Sequence, residues 1–485
     1  MRNMMRAVAA SVLLAAPAAG VAQSASELDP VAVARADWLE VATEHFTILT
    51  DATEGVAMGV GRRLEEFCDM LHTLHTGLRN YPALPTVIYV FRDRSEMAAF
   101  SPEGVENVAG FSTVGPGRNL FVMNAEVEGT SRASVVCHEF THVFLNSNFS
   151  EMPVWMNEGL AEYYQTFRRR GRRAEFGHVI AGPSEWLESH PWTDLSMLFA
   201  MNTAAHAYQR DNDLRSTMYA QGWAIIHYLE ADAARAVRLD SVLVAMRRGT
   251  PARVAFRAQF PADEWPALID EVKRYVHDGA LEPRAVNVSS EVDRREPRAR
   301  TLSDSQAMLW LGDLMLSLGP GRERGASALY RAALAEEPAL ARAQAGLGYV
   351  ADRSSDTSKA EAAYSDAARL APGDARSALL AGLGRLQRAA HLSDSSSVSH
   401  TEIEQCLTSA RQSLKRCLES DHDNPEALGA LGLTFTWLGE APEEAIRGLS
   451  AAVDALPAYS QFRAALKTAR ELRAREYSEA GKPEH

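Results

Sequence analysis

Basic residues are in the minority in this chain. Its 50 Lys and Arg residues face 63 Asp and Glu residues, which gives a formal net charge of −13. A dedicated nucleic-acid binder normally presents a basic face, so this balance argues against that class of protein. The acidic balance selects no particular partner, because many soluble proteins share it. We therefore expect no nucleic-acid partner.

Long apolar runs are also missing, except at the N-terminus. Arg2 and Arg6 precede an apolar stretch over residues 7–19, and Gly20-Val21-Ala22 offers small residues at a cleavage site. This pattern is typical of a secretory signal peptide over residues 1–22. The stretch is short for a membrane-spanning helix, which needs about 20 apolar residues, but an uncleaved anchor is the alternative. We expect a periplasmic or secreted protein with no membrane span after signal removal.

Cysteine is scarce, with four residues in the whole chain. Cys406 and Cys417 fall on one predicted helix, about 16 Å apart at 1.5 Å per residue, whereas a disulfide needs Cα atoms within about 7 Å. Cys68 and Cys137 can meet only if their helices pack, and an exported protein permits such a bond. Free buried thiols are the more common state. We expect that state and leave the Cys68–Cys137 bond open.

The pattern of apolar residues divides the chain into two main parts. Strand-like runs fall within residues 37–126, and helical periodicity dominates residues 127–280. Strands early and helices late predict an α+β domain with a small mixed sheet over residues 37–280. The polar, Arg- and Glu-rich residues 281–300 are interpreted as a linker to a second domain.

A repeat marks residues 301–475. Pro338 and Pro372 each close an Ala-rich helical segment and lie 34 residues apart. A period of this length, with small residues at helix contacts, predicts stacked helical hairpins that present a surface for a protein partner. With Trp310-Leu311-Gly312 in its first helix, the region resembles the tetratricopeptide repeat family. A generic helical bundle is the alternative.

The residues that carry chemistry stand near the start of the helical stretch. His138-Glu139-Phe140-Thr141-His142 places two histidines four positions apart on a predicted helix, so both imidazoles can face one ion. Glu139 projects beside them, where it can reach a metal-bound water. Glu158 follows His142 by 16 positions. Two His and one Glu meet the need of a catalytic zinc for three protein ligands and an open position. We therefore predict one Zn²⁺ per chain.

Together with Asn157-Glu158-Gly159, this motif resembles the gluzincin superfamily of zinc metallopeptidases, over roughly residues 38–280. The overall pattern is most similar to the peptidase-MA-like bacterial proteins. The resemblance implies a gluzincin-like fold for the α+β domain. The site residues that it implies are the zinc ligands His138, His142 and Glu158, the general base Glu139, and Glu162, which orients a ligand imidazole.

Tyr219 is a further candidate for the site. The segment Tyr219-Ala220-Gln221-Gly222-Trp223-Ala224 is similar to the downstream tyrosine segment of gluzincin aminopeptidases, which implies that the Tyr219 hydroxyl stabilises the oxyanion. A core tyrosine on an amphipathic helix is the alternative. His227, two turns further along, is a second candidate for the same role.

The function that follows is an exported zinc-dependent peptidase that acts on a peptide or protein substrate. Residues 120–126 lack the Gly-x-Met-Glu-Asn element of the aminopeptidases, so we expect an endopeptidase or a peptidase of narrow specificity. The alternative is a non-catalytic envelope scaffold, whose helical repeats bind a partner and whose zinc site is structural or vestigial. The presence of Glu139 favours the enzyme.

Two further groups of residues have ordinary explanations. His72 and His75 lie three positions apart but have no third ligand nearby in the sequence, so we expect them on a solvated helix face. The run over residues 168–173, with five arginines, can contact an acidic partner or envelope lipid. A solvated loop is the expectation there.

Overall fold

The computed structural model describes residues 28–102, 108–126, 129–201, 212–288, 297–394 and 399–479. The predicted signal peptide over residues 1–22 lies outside these ranges. Across the described ranges, none of the helices combines the length and the apolar character needed to cross a membrane.

A six-stranded mixed sheet forms the centre of the N-terminal half, in the order β4-β5-β3-β2-β1-β9. Its strands are β1 (Leu39–Ala42), β2 (Phe46–Thr50), β3 (Thr86–Phe91), β4 (Gly110–Gly115), β5 (Arg118–Asn124) and β9 (Arg298–Thr301). The three adjacent strands β5, β3 and β2 run parallel to one another, and the other neighbouring pairs are antiparallel. All six residues of β3 are buried, as expected of a strand covered on both faces.

Helices cover one face of this sheet and form the first core. They are α2 (Glu54–Leu74), α4 (Gly129–Asn148), α5 (Val154–Tyr164), α6 (Ala181–Ser189), α7 (Leu195–Ala200), α8 (Asn212–Glu230), α9 (Ala233–Arg247), α10 (Ala252–Gln259) and α11 (Trp265–His277). Ile88 and Val90 of β3 belong to this core, together with Phe67 of α2 and Phe140 of α4. The α+β organisation predicted from the sequence is confirmed, with a small mixed sheet and helices after it.

A second, three-stranded sheet corrects two expectations. It consists of β6 (Arg168–Arg170), β7 (Arg173–Phe176) and β8 (Arg284–Asn287). The arginine run is therefore a β-hairpin and not a loop, and the stretch over residues 127–280 is not purely helical. The Arg169 side chain points inward to Asp69, at 2.8 Å, whereas Arg168 and Arg170 are exposed.

The predicted linker over residues 281–300 is also wrong for its described residues. β8 pairs with β7, and β9 pairs with β1, where Leu39 opposes Thr301. Both ends of the segment are thus held in sheets of the N-terminal half. Short strands of polar, exposed residues such as β9 show no apolar alternation, so the sequence pattern could not reveal them.

The C-terminal helical domain comprises residues 304–479. Its helices are α12 (Asp304–Ser317), α13 (Glu323–Glu336), α14 (Ala341–Arg353), α15 (Thr357–Leu370), α16 (Ala375–Asp394), α17 (His400–Ser420), α18 (Pro425–Trp437), α19 (Glu443–Ala455) and α20 (Ser460–Glu479). Consecutive helices pack as hairpins, and the alternate helices α12, α14, α16, α18 and α20 also contact one another. The prediction of a helical C-terminal region is confirmed.

This domain packs directly on the second face of the sheet. Leu49, Tyr89 and Val122 share one buried cluster with Leu309 and Leu314 of α12. The Tyr89 hydroxyl donates a hydrogen bond of 2.8 Å to the carbonyl of Trp310. A short N-terminal helix, α1 (Pro30–Ala34), joins the same cluster, and α3 (Arg94–Ala99) contributes Met97 to it. The two halves of the chain therefore have a common apolar interface.

Candidate metal and active site

Helix α4 carries His138 and His142 one turn apart. Its apolar side holds Phe140, which packs edge-on against Phe46 of the sheet at 5.4 Å between ring centroids, and also Phe144. Burial of that side turns the histidines toward the half-buried side of the helix. The two imidazole centroids lie 4.9 Å apart with their planes at 81°. The spacing of four residues therefore brings both rings to one point, as predicted.

Helix α5 brings Glu158 to the same point. Its Oε2 atom lies 3.8 Å from His138 Nε2 and 3.7 Å from His142 Nε2. All three donor atoms lie within 4.8 Å of one another, and within the described part of the chain this group is the one able to hold a metal ion. Tetrahedral zinc, with bonds of about 2.0–2.2 Å, places its ligands about 3.4 Å apart. The three side chains fit such an ion after small movements.

The electrostatics of the pocket also fit a cation. Burial lowers the pKa of His138 to about 3, with a further contribution from His142. Its imidazole is therefore neutral, the form that binds metals. Burial raises the pKa of Glu158 to about 8. A carboxylate in this position gains from a positive ion, because desolvation alone disfavours its charged form.

Asn157 orients one of the two imidazoles. Its side-chain oxygen accepts a hydrogen bond of 3.2 Å from His142 Nδ1. This bond places the proton on Nδ1 and leaves the lone pair of Nε2 facing Glu158. The resemblance implied this role for Glu162, but the Glu162 carboxylate accepts a hydrogen bond from Gln165 instead. The hydrogen-bond partner of the His142 imidazole is thus Asn157, the residue before Glu158.

Glu139 lies beside the cluster and contacts the edge strand β4. The Ser112 hydroxyl donates a hydrogen bond of 3.1 Å to Glu139 Oε2, and the Ser112 backbone also helps to lower the pKa of this carboxyl group. Burial raises the pKa of Glu139 to about 7, opposed by His142 and by the bonds from Ser112. The carboxylate is therefore held at a fixed position next to the three candidate ligands.

Tyr219 reaches the site from α8. Its side chain lies close enough to the Glu158 carboxyl group to lower the pKa of that group, and the residue is half-buried rather than in the core. Helices α5 and α8 approach closely enough for this contact because both have a glycine at their crossing. A Cβ atom on Gly222 would lie 2.3 Å from the carbonyl oxygen of Trp155, and one on Gly159 would lie 2.5 Å from that of Gly222.

His227 does not reach the site. It is fully buried, its Nε2 donates to the carbonyl of Gly177 at 2.7 Å, and the Tyr275 hydroxyl donates to its Nδ1 at 2.8 Å. Both ring nitrogens are thereby engaged in the core. Of the two candidates for oxyanion stabilisation, only Tyr219 lies beside His138, His142 and Glu158.

The remaining candidates are structural. His75 is buried between Asp240 and Tyr164, with hydrogen bonds of 3.1 and 2.8 Å, so the expectation of a solvated face was wrong for this residue. His72 is exposed, as expected. All four cysteines are free and buried, which confirms that expectation.

Sequence reasoning missed Ser112 and the role of Asn157. Asn157 belongs to the quoted Asn-Glu-Gly element, so its position next to a ligand was a usable signal. Ser112 lies 27 residues before Glu139, on an edge strand with no local pattern that marks it.

Compared with known protein families and with curated proteins, the chain matches none.

Proposed function

We propose that this protein is an exported zinc-dependent endopeptidase of the gluzincin type, with tetratricopeptide-like repeats after its catalytic domain. The observation that carries the proposal is the meeting of His138, His142 and Glu158 from two helices, with Glu139 at their side. Export rests on the signal-like residues 1–22. A purely structural zinc site has no need of a buried carboxylate held next to its ligands.

The metal would be held by the two Nε2 atoms and by Glu158. When bound, a zinc ion supplies a Lewis acid that acidifies water and polarises a carbonyl group. Three protein ligands leave a fourth position open to solvent or substrate. Asn157 keeps His142 in the tautomer that this arrangement requires.

Glu139 acts as the general base in this proposal. It takes a proton from the attacking water and later gives a proton to the leaving amine. Ser112 restrains the carboxylate while it does so, because its hydroxyl donates a hydrogen bond to Glu139. The Tyr219 side chain lies near Glu158, and its hydroxyl is the donor that would stabilise the oxyanion once substrate enters.

The substrate class follows from the strand next to the site. β4 is at the end of the six-stranded sheet, with β5 on one side and no other strand of the described chain on the other. An extended peptide can add along such an edge through backbone hydrogen bonds. Because Ser112 of this strand contacts Glu139, a peptide bound there passes the proposed base. This supports cleavage within a chain.

The first test is metal content followed by cleavage. Purified protein should hold about one zinc per chain, and a peptide library should be cut at internal bonds only without a chelator. Restoring zinc after chelation should restore cleavage. Cleavage that survives complete zinc removal, or zinc-loaded protein that cuts no peptide in the library, would contradict the proposal. The second result would favour the scaffold.

A further inference from the structure

The turn between β4 and β5 is inserted into the C-terminal helical domain. Arg376 of α16 donates a hydrogen bond to the carbonyl of Pro116. The backbone N–H of Gly117 donates to the carboxylate of Glu426 on α18. One donor and one acceptor from two different helices thus hold the Pro116 carbonyl and the Gly117 N–H of the turn.

The fit around this turn is tight. Gly117 has a φ of +68°, and a Cβ there would lie 2.5 Å from Arg376 Nη1 and 2.7 Å from Leu379 Cδ2. A Cβ on Gly115 would lie 2.1 Å from the hydroxyl of Ser317 on α12. Only glycine meets both the backbone conformation and the space. The alternate helices α12, α16 and α18 therefore form a receptor for this turn.

The base of the hairpin is anchored to the same face. Arg118, the first residue of β5, lies 3.2 Å from the buried carboxylate of Asp313. Its guanidinium carbon also stacks over the Trp310 ring, 4.7 Å from the centroid. Arg342 of α14 contacts the same carboxylate at 3.2 Å. The face that helical repeats commonly offer to partners is thus occupied by the protein's own hairpin.

This anchor is close to the candidate active site. Ser112 is three residues before Gly115 on β4, and its hydroxyl donates a hydrogen bond to Glu139. Within the described part of the chain, β4 has a strand neighbour on one side only. Its position at Ser112 therefore depends on its pairing with β5 and on its fixed end at the turn.

We propose that the C-terminal helical domain is an intramolecular clamp, in which Arg376 and Glu426 fix the β4–β5 turn and thereby position Ser112 against Glu139. These two are positioning residues that contact no substrate. The proposal rests on the proposed peptidase function only for its effect on rate. The clamp itself is a structural property that can be measured without any substrate.

The test uses the full-length, zinc-loaded protein with Arg376→Ala and Glu426→Ala. Hydrogen–deuterium exchange of residues 110–115 should become at least about tenfold faster in each variant. The kcat on a short peptide should fall by about tenfold, because a small misplacement of catalytic groups lowers rates strongly. KM should change less than kcat, and zinc content should stay the same.

Two further variants separate positioning from general damage. Glu426→Gln keeps an oxygen that accepts from Gly117, so it should restore slow exchange in β4 and near-normal kcat. Arg369→Ala removes an arginine of α15 whose side chain is 69% exposed and pairs only with Asp366, and should change neither quantity.

Unchanged exchange of residues 110–115 in both alanine variants would overturn the clamp. Faster exchange with normal kcat would overturn the positioning role. If the wild-type protein cuts no peptide, the proposed function fails while the exchange experiment still decides the clamp. If Glu426→Ala does not fold, Gly117→Ala probes the same contact from the side of the turn and should also speed exchange in β4.

Discussion

A substitution at the crossing of α5 and α8 should raise or lower the stability of the protein according to how tightly the two helices pack. Gly222 lies within α8, and a Cβ added there would lie 2.3 Å from the carbonyl oxygen of Trp155 on α5. This oxygen belongs to the backbone, so no side-chain rotation can relieve the contact. Because real Cβ atoms keep at least 3.0 Å from such neighbours, Gly222→Ala forces the helices apart by at least about 0.7 Å, the difference between these distances.

This substitution has effects of opposite sign on the free energy of unfolding. Replacing a helical glycine by alanine favours the helix by about 0.5–1 kcal/mol. Overpacking a tight interface costs about 1–3 kcal/mol. The separation also weakens the contact of the Tyr219 side chain with Glu158, and a hydrogen bond to an uncharged carboxyl group contributes about 0.5–1.5 kcal/mol. We therefore expect Gly222→Ala to lower the free energy of unfolding by about 1–3 kcal/mol.

The assay is urea unfolding of the metal-free protein, followed by zinc titration against a chromophoric chelator. Gly59→Ala is the matched control, because Gly59 is an exposed residue of α2 with nothing within 4 Å of an added Cβ. It should stabilise the protein by up to about 1 kcal/mol. Zinc binding should weaken only in Gly222→Ala. If Gly222→Ala is as stable as wild type or more so, the close crossing does not hold the site together.

Three further predictions concern the metal, the base and pH. Measured by plasma mass spectrometry, the zinc content of His142→Ala should fall from about one per chain to near zero. The control His72→Ala, at an exposed position of α2, should keep its zinc. Equal zinc content in both variants would contradict the ligand assignment. Glu139→Gln should keep zinc and unfolding behaviour but lose about 10²–10⁴-fold in kcat; wild-type cleavage by this variant would exclude Glu139 as the base. Burial, followed by the neighbouring Asp51, raises the pKa of Glu96 from 4.5 to about 8. Its stabilising contribution is therefore present below about pH 4.5 and is lost as the pH rises through 8. Between pH 5 and pH 9 the melting temperature should fall less steeply in Glu96→Gln than in wild type. Parallel curves of melting temperature against pH would refute this.

Local sequence patterns predicted the structure correctly where a single helix or strand determines it. The spacing of His138 and His142 places their rings on one side of any α-helix, whatever the rest of the fold does. The strand-like runs within residues 37–126 likewise predicted a sheet, and β3, one of its strands, is an apolar segment with all six residues buried. The helical character of the C-terminal domain follows from a periodicity that needs no distant contact.

The errors arose where a segment obtains its structure from distant partners. β9 is fully exposed at its four residues and is a strand only because β1, more than 250 residues earlier, pairs with it. His75 lies near the end of an amphipathic helix, and its burial depends on Asp240 and Tyr164 from two other helices. A hydrogen bond across such a separation leaves no periodic signal in the sequence.

The sequence by itself determined the chemistry available to the site: two imidazoles, a neighbouring carboxylate and an Asn-Glu-Gly element. Only the tertiary structure decided which of these groups meet. The close crossing of α5 and α8 at two glycines brings Tyr219 to Glu158, and the sheet edge brings Ser112 to Glu139. Packing also decided which surface of the C-terminal helices is occupied. The hydrogen bonds from these helices to the two-residue β4–β5 turn depend on where the whole sheet places that turn.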